Sequence, residues 1–312
     1  MRKISDEELK SIKLTSNFTL YEMVASPMAT IHSINNMPTS AQIDKLRTLC
    51  IKILQPVRNH FNCPVKVRSA FTCVALNTFK NGAISSQHIH AEAVDFYVSG
   101  VDIKKVAFWI RKNLDFDILQ YEYPNNDSSK AGWIHVSYVS SSKNRHLDLT
   151  TETGLRKYML SQNFSLFELT DSATARAHGI YNVPDEAGIE KLRQVCLNVL
   201  QPVRNHYNKA VNVSSGFRTP ALNSLIKGSS KTSQHQKCEA VDYEIKGVDN
   251  SELANWVADN LEYDQIILEY HGDDSNDPND GWVHTSYVAP PKRNRKSKLN
   301  ISKKGTVRVS KF

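Results

Sequence analysis

No Cys-x-x-Cys pair occurs anywhere in the chain, and its five cysteines, Cys50, Cys63, Cys73, Cys196 and Cys238, are odd in number. A disulfide framework and a cysteine-built zinc site are therefore both disfavoured, and a reducing compartment is expected. Long apolar runs are missing too. Every apolar stretch is broken within a few residues by Lys, Arg or Asp, which excludes a membrane span, and the start, Met1-Arg-Lys-Ile-Ser-Asp-Glu-Glu, offers no core for a signal peptide. Acidic residues are absent from residue 289 to the end, where nine of the 39 Lys and Arg residues fall. The rest carries 30 bases against 32 acids, so the net charge of +7 belongs to the C-terminal stretch and not to the body. That distribution argues against nucleic acid as a partner. It reads instead as a solvated basic tail over 291–312, or as attraction to an anionic cell envelope.

What is present is written twice. Asn17-Phe-Thr-Leu-Tyr-Glu-Met23 returns as Asn163-Phe-Ser-Leu-Phe-Glu-Leu169, and Leu54-Gln-Pro-Val-Arg-Asn-His60 returns unchanged as Leu200-Gln-Pro-Val-Arg-Asn-His206, both at an offset of 146. A period this long marks a duplicated domain, so the chain divides into 1–155, 156–290 and the tail. In each half an amphipathic helix comes first. Ile43, Leu46, Leu49, Cys50, Ile53, Leu54 and Val57 share one face, as do Ile189, Leu192, Val195, Cys196, Val199, Leu200 and Val203, with Pro56 and Pro202 expected to kink or end these helices. Strands are predicted over 65–69 and 211–215, a shorter helix over 102–113 and 250–260, and a closing antiparallel pair over 118–123 with 133–138 and 266–270 with 282–287. The sum is an α+β fold, a small antiparallel sheet packed by helices in each copy.

Chemistry-bearing residues recur at matched places. Ser86-Gln-His88 precedes Ala93-Val-Asp95, and Ser233-Gln-His235 precedes Ala240-Val-Asp242, the His-to-Asp spacing being seven in both. Each half then has Gly-Trp-x-His, ending on His135 and His284. Two imidazoles and a carboxylate are a ligand set that catalytic zinc prefers, because three protein ligands leave the fourth position open. A single histidine on a strand is more often structural, but three candidate ligands repeated in two halves favour a metal.

Ser-x-His, then Ala-x-Asp, then Trp-x-His resembles the zinc D-alanyl-D-alanine carboxypeptidase family, which includes phage L-alanyl-D-glutamate endolysin peptidases and shares its fold with the hedgehog signalling domain. The resemblance runs over nearly all of both halves. It implies zinc held by His235, Asp242 and His284 in the second half and by His88, Asp95 and His135 in the first. It also implies that Arg218, in Gly216-Phe-Arg-Thr-Pro220, holds a substrate carboxylate, a task suited to a planar guanidinium with paired donors. Thr72 stands at the matching place in the first half, which implies a copy that binds metal but handles substrate poorly or not at all. The family's general base, usually a glutamate three positions before the last histidine, is replaced by Gly132 and Gly281. The aligned candidates are Glu122 and Glu269, on the strands expected to pair with the Trp-x-His strands, and Glu269 is the choice for the second half. The glycine that the family carries three after the first histidine is Ala91 or Cys238 here. Cys238, Trp133 and Trp282 read as packing residues, and His60 and His206 as helix-end residues with no chemistry.

The resemblance thus implies a zinc peptidase acting on bacterial peptidoglycan stem peptides, its second half active. Without a signal peptide, a phage product is expected: an endolysin in the host cytoplasm before lysis, or a virion part with other virion proteins as partners. The rival is a degenerate structural or wall-binding protein that keeps the fold, motivated by Thr72, the missing glycines and the basic tail. A weaker third reading has the first half occluding the second.

Overall fold

The computed structural model describes residues 4–128, 130–272, 277, 279–292 and 294–312; most of the polar loop at 273–279, and Arg293 of the basic stretch, lie outside the described residues. The chain forms two compact units, divided in the main between residues 155 and 156. Each is built in the same order.

In the first unit Thr39 opens the helix Ser40–Leu49 with a capping box, its hydroxyl accepting from the Gln42 amide while the Gln42 side chain returns to Thr39. In the second, the Asp185 carboxylate caps Glu186–Val195. Neither helix stops at its proline. Both pass through a π-helical turn, Cys50–Leu54 and Cys196–Leu200, and continue as Gln55–Phe61 and Gln201–Tyr207. The wider turn accommodates Pro56 and Pro202, which have no amide hydrogen to give to the preceding turn. The helices end where Asn62 and Asn208 turn left-handed at φ 49°. Their apolar stripes from Leu46 to Val57 and from Leu192 to Val203 are fully buried, each large side chain contributing roughly 1.5–3 kcal/mol. Cys50 sits in that stripe, and burial pushes its thiol up to about 12.

The first sheet comprises β1 (Val65–Ser69), β2 (Ala93–Val98), β3 (Ile118–Glu122), β4 (Trp133–Ser137) and β5 (Leu147–Asp148), in the order β1-β2-β4-β3-β5. The second comprises β6 (Asn212–Ser215), β7 (Ala240–Glu244), β8 (Gln265–Glu269), β9 (Trp282–Ser286), β10 (Ser297–Ser302) and β11 (Gly305–Arg308), in the order β11-β10-β8-β9-β7-β6. The inner pairings are antiparallel as predicted, but β5 and β10 add to β3 and β8 in parallel, so each sheet is mixed.

The expectation of a solvated tail over 291–312 is corrected here. β10 pairs with β8 from Ser297 opposite Gln265 to Ile301 opposite Glu269, and β11 folds back on it. The last residue is tied down, Phe312 exchanging backbone hydrogen bonds with the Asn255 side chain at 2.8 and 3.0 Å. Several bases have fixed partners, including Arg295 on Asp264 and Lys296 on Glu262. Among the described residues no helix is long and apolar enough to cross a membrane.

One ionic brace recurs in both units. Buried Asp264, just before β8, accepts from Arg295 Nε at 3.0 Å, Arg295 Nη2 at 2.5 Å, the Arg295 amide at 2.9 Å and Gln234 Nε2 at 3.0 Å. Asp117 does the same with Arg145 and Gln87. Gln234 and Gln87 each precede a motif histidine, so the brace fixes the histidine-bearing turn to the sheet. Burial would raise the Asp264 carboxyl, but the hydrogen bonds from Arg295 outweigh it and hold the group below its ordinary value. A depressed carboxylate stabilises the fold above the unfolded pKa of about 3.9, and that contribution disappears as pH falls through the lower folded-state value. The Asp264→Asn protein is therefore expected to melt below the parent at neutral pH, with the gap in melting temperature narrowing as pH falls below about 4. A constant gap across that range would contradict the brace.

Candidate active site

His235 lies on a single 3-10 turn, Gln234–Lys237, whose start is capped by the Ser233 hydroxyl. Its Nδ1 is 2.6 Å from the Gly216 carbonyl oxygen. A carbonyl can only accept, so Nδ1 carries the proton and the Nε2 lone pair faces the sheet. Asp242 on β7 and His284 on β9 are direct cross-strand partners, which puts both side chains on that same face. The three meet there: His284 Nδ1 is 2.8 Å from Asp242 Oδ1, His235 Nε2 is 3.2 Å from Asp242 Oδ1, and the two imidazole nitrogens are 3.2 Å apart. Ligands at 2.0–2.1 Å around a tetrahedral ion stand about 3.3 Å from one another, so this donor triangle fits zinc. Burial alone would raise the Asp242 carboxyl; the charge and hydrogen bonds of His235 and His284 hold it far below the usual carboxylate range instead.

The first unit repeats the cluster. His88 Nδ1 lies 2.6 Å from the Ala70 oxygen, His135 Nδ1 lies 2.9 Å from Asp95 Oδ1, and His88 Nε2 lies 3.4 Å from the same oxygen. Both triads are buried, and in each the candidate ligand atoms all lie within 4.8 Å of one another. The backbone after the first histidine keeps a left-handed turn without glycine, with φ of 59° at Ala91 and 60° at Cys238. Cys238 is buried and its sulfur rests against Gly188 of the long helix, so it packs there and does not join the ligand cluster.

The units differ around the triads. Thr72 and Arg218 occupy equivalent places, their amides donating to the carbonyls of His88 and His235. Arg218 donates from Nη2 to Asp242 Oδ2 at 2.7 Å and from Nε to Ser215 Oγ at 2.8 Å. Its expected partner was a substrate carboxylate; here it also fixes the second oxygen of a candidate ligand, Asp242, while its side chain lines the cavity. Ser215 in this role was not legible in the sequence.

Glu269 stands opposite Trp282 on β9, one same-face step along from Ile267 opposite His284. Its carboxylate is therefore a diagonal neighbour of the triad. Burial raises its carboxyl, helped by the Asp242 charge, while His284, Arg218 and the Trp282 indole pull it down. In the first unit the Trp133 indole N–H donates to Glu122 at 2.9 Å and the Arg68 guanidinium lies over the same ring at 4.1 Å, so this tryptophan orients a carboxylate as well as packing. Gly281 explains why no glutamate stands nearer the last histidine. Its φ is 73°, and a Cβ there would come 1.9 Å from the Glu269 carbonyl oxygen. A cavity of about 740 Å³ is lined by Arg218, His235, Asp242, Glu269, Trp282 and His284, among others.

A cavity lined by a metal-ready triad, an arginine and a half-buried glutamate has the parts of a hydrolytic site. No curated protein matches the sequence. The model of one protein family does, described as peptidase M15, over residues 16–137 and again over 162–272, stretches that hold His88, Asp95, His135, His235 and Asp242, with His284 just beyond. A chain with that family's pattern written twice, and with a metal-ready triad in each copy, belongs to the peptidase M15 family.

Proposed function

We propose that the protein is a zinc-dependent peptidase that cuts the stem peptides of bacterial peptidoglycan, with the second unit as its working site. The observation that carries this reading is that Arg218 and Glu269 flank the second triad in one cleft, whereas Thr72 replaces the arginine in the first. His235, Asp242 and His284 would hold one zinc ion, and His88, Asp95 and His135 a second. Bound zinc supplies a Lewis acid that activates water and polarises a carbonyl. Gly216 fixes the His235 tautomer, and Arg218 keeps Asp242 turned toward the histidines. Glu269, whose carboxyl is raised by burial, takes a proton from the attacking water and later delivers it to the leaving amine. The remaining Arg218 donors receive a carboxylate of the peptide. Thr72 supports a first unit that holds metal and wall peptide without cleaving it. The resemblance to phage endolysin peptidases supports a role in wall lysis, from the host cytoplasm or from a virion.

Elemental analysis of the purified chain is expected to find two zinc ions per molecule, falling to one in His284→Ala; a parent that carries none after zinc loading would remove the metal from the reading. On purified peptidoglycan, Glu269→Gln is expected to lower kcat by roughly 10²- to 10⁴-fold with zinc content unchanged. Equal release of amino groups by parent and variant would overturn the assignment of the base.

A further inference from the structure

The C-terminal hairpin has no equivalent in the first unit. There β5 pairs with β3 only at Leu147 and Asp148, and the chain leaves into the helix Glu152–Lys157. In the second unit the same strand runs on as β10 until Ile301 stands opposite Glu269, and the Tyr270 amide donates to the Ile301 carbonyl at 2.7 Å. The two family matches end at residues 137 and 272, before β5 in the first unit and before β9 in the second, so neither extends over this hairpin. It reaches the cleft: Lys292 and Ile301 line the same cavity as the triad, Arg218 and Glu269.

The charge of that wall is unbalanced. Three of the acids lining the cavity are already matched, Asp242 by Arg218, Asp264 by Arg295 and Glu239 by Lys191. Lys227, Lys237 and Lys292 also line it, and among the described residues none of the three has an acidic partner within ion-pair distance. Apart from Glu269, the assigned base, the cleft's acids are matched, and its unmatched lysines favour an anionic ligand.

We propose that Lys292 and Ile301 belong to a substrate-binding wall, with Lys292 receiving a carboxylate of the bound peptide and Ile301 bordering its apolar part. Lys292 is then a specificity-determining residue. The inference rests on the peptidase reading for its ligand class, and its test separates the two.

A fluorescent stem tetrapeptide with free carboxylates, and the same peptide with those groups amidated, are titrated into the full-length Glu269→Gln protein. Adding Lys292→Glu is expected to weaken binding of the free-carboxylate peptide about fivefold or more at low salt, and to leave the amidated peptide little changed. Lys292→Arg restores binding, and the difference closes at high salt. In the chain that keeps Glu269, Lys292→Glu raises KM for the acidic peptide with kcat within about twofold. Equal affinity of Lys292→Glu and parent for the acidic peptide overturns the proposal, as does a parent that binds neither peptide. Charge-dependent binding without turnover by the Glu269 chain supports the wall and overturns the hydrolytic reading instead.

Discussion

Everything at the site depends on the register between two central strands. Asp242 faces His284, and Asp95 faces His135, as direct antiparallel partners. Because side chains alternate along a strand, a slip of one residue would send one ligand of each pair to the opposite face of the sheet and dissolve both clusters. The register is held by what lies on the other face. Val94, Val136, Val241 and Thr285 are fully buried there, so a slip would also bring charged groups into the core. The two strands thus carry the metal-ready chemistry on one surface and the packing that enforces it on the other.

The third ligand comes from outside this pair, on a short turn that has few contacts of its own. Three restraints hold it: the Nδ1 hydrogen bond to a backbone carbonyl, the hydroxyl cap from the preceding serine, and the glutamine that joins the buried Asp–Arg brace. These recur in both units, while the groups that would act on a substrate do not. Thr72 stands where Arg218 does, and β5 pairs with β3 only as far as Asp148 whereas β10 reaches Glu269. The duplication has kept the scaffold of the ligands and let the substrate side diverge.

Much of this was readable from residues alone. The repeat, the paired helices and the closing strands follow from spacing, because periods of 3.6 or 2 are local properties of the chain, and the six triad positions stood out as a repeated His/Asp pattern that the family resemblance assigned to zinc. The behaviour at Pro56 and Pro202 was not, since a π-helical turn depends on how the helix packs and not on any single residue type. Ala91 and Cys238 hide their left-handed backbone for the same reason: the usual marker is glycine, and here the surrounding turn imposes the conformation. The Asp264–Arg295–Gln234 brace joins residues remote in sequence, and only the glutamine lay within a noted motif. The C-terminal strands were misread because charge dominates their composition, whereas β10 is recruited by the open edge of β8.

That recruitment moves the open edge outward to β11, whose residues from Gly305 to Arg308 are all exposed. An unprotected strand at a sheet margin invites another chain to zip onto it. Lys303 and Lys304 in the turn, Arg308 on the strand and Lys311 beyond it place like charges along this margin, and an incoming copy would bring the same ones. The basicity concentrated at the end of the chain therefore acts as a guard against self-aggregation, keeping an added strand from becoming a template for fibre growth.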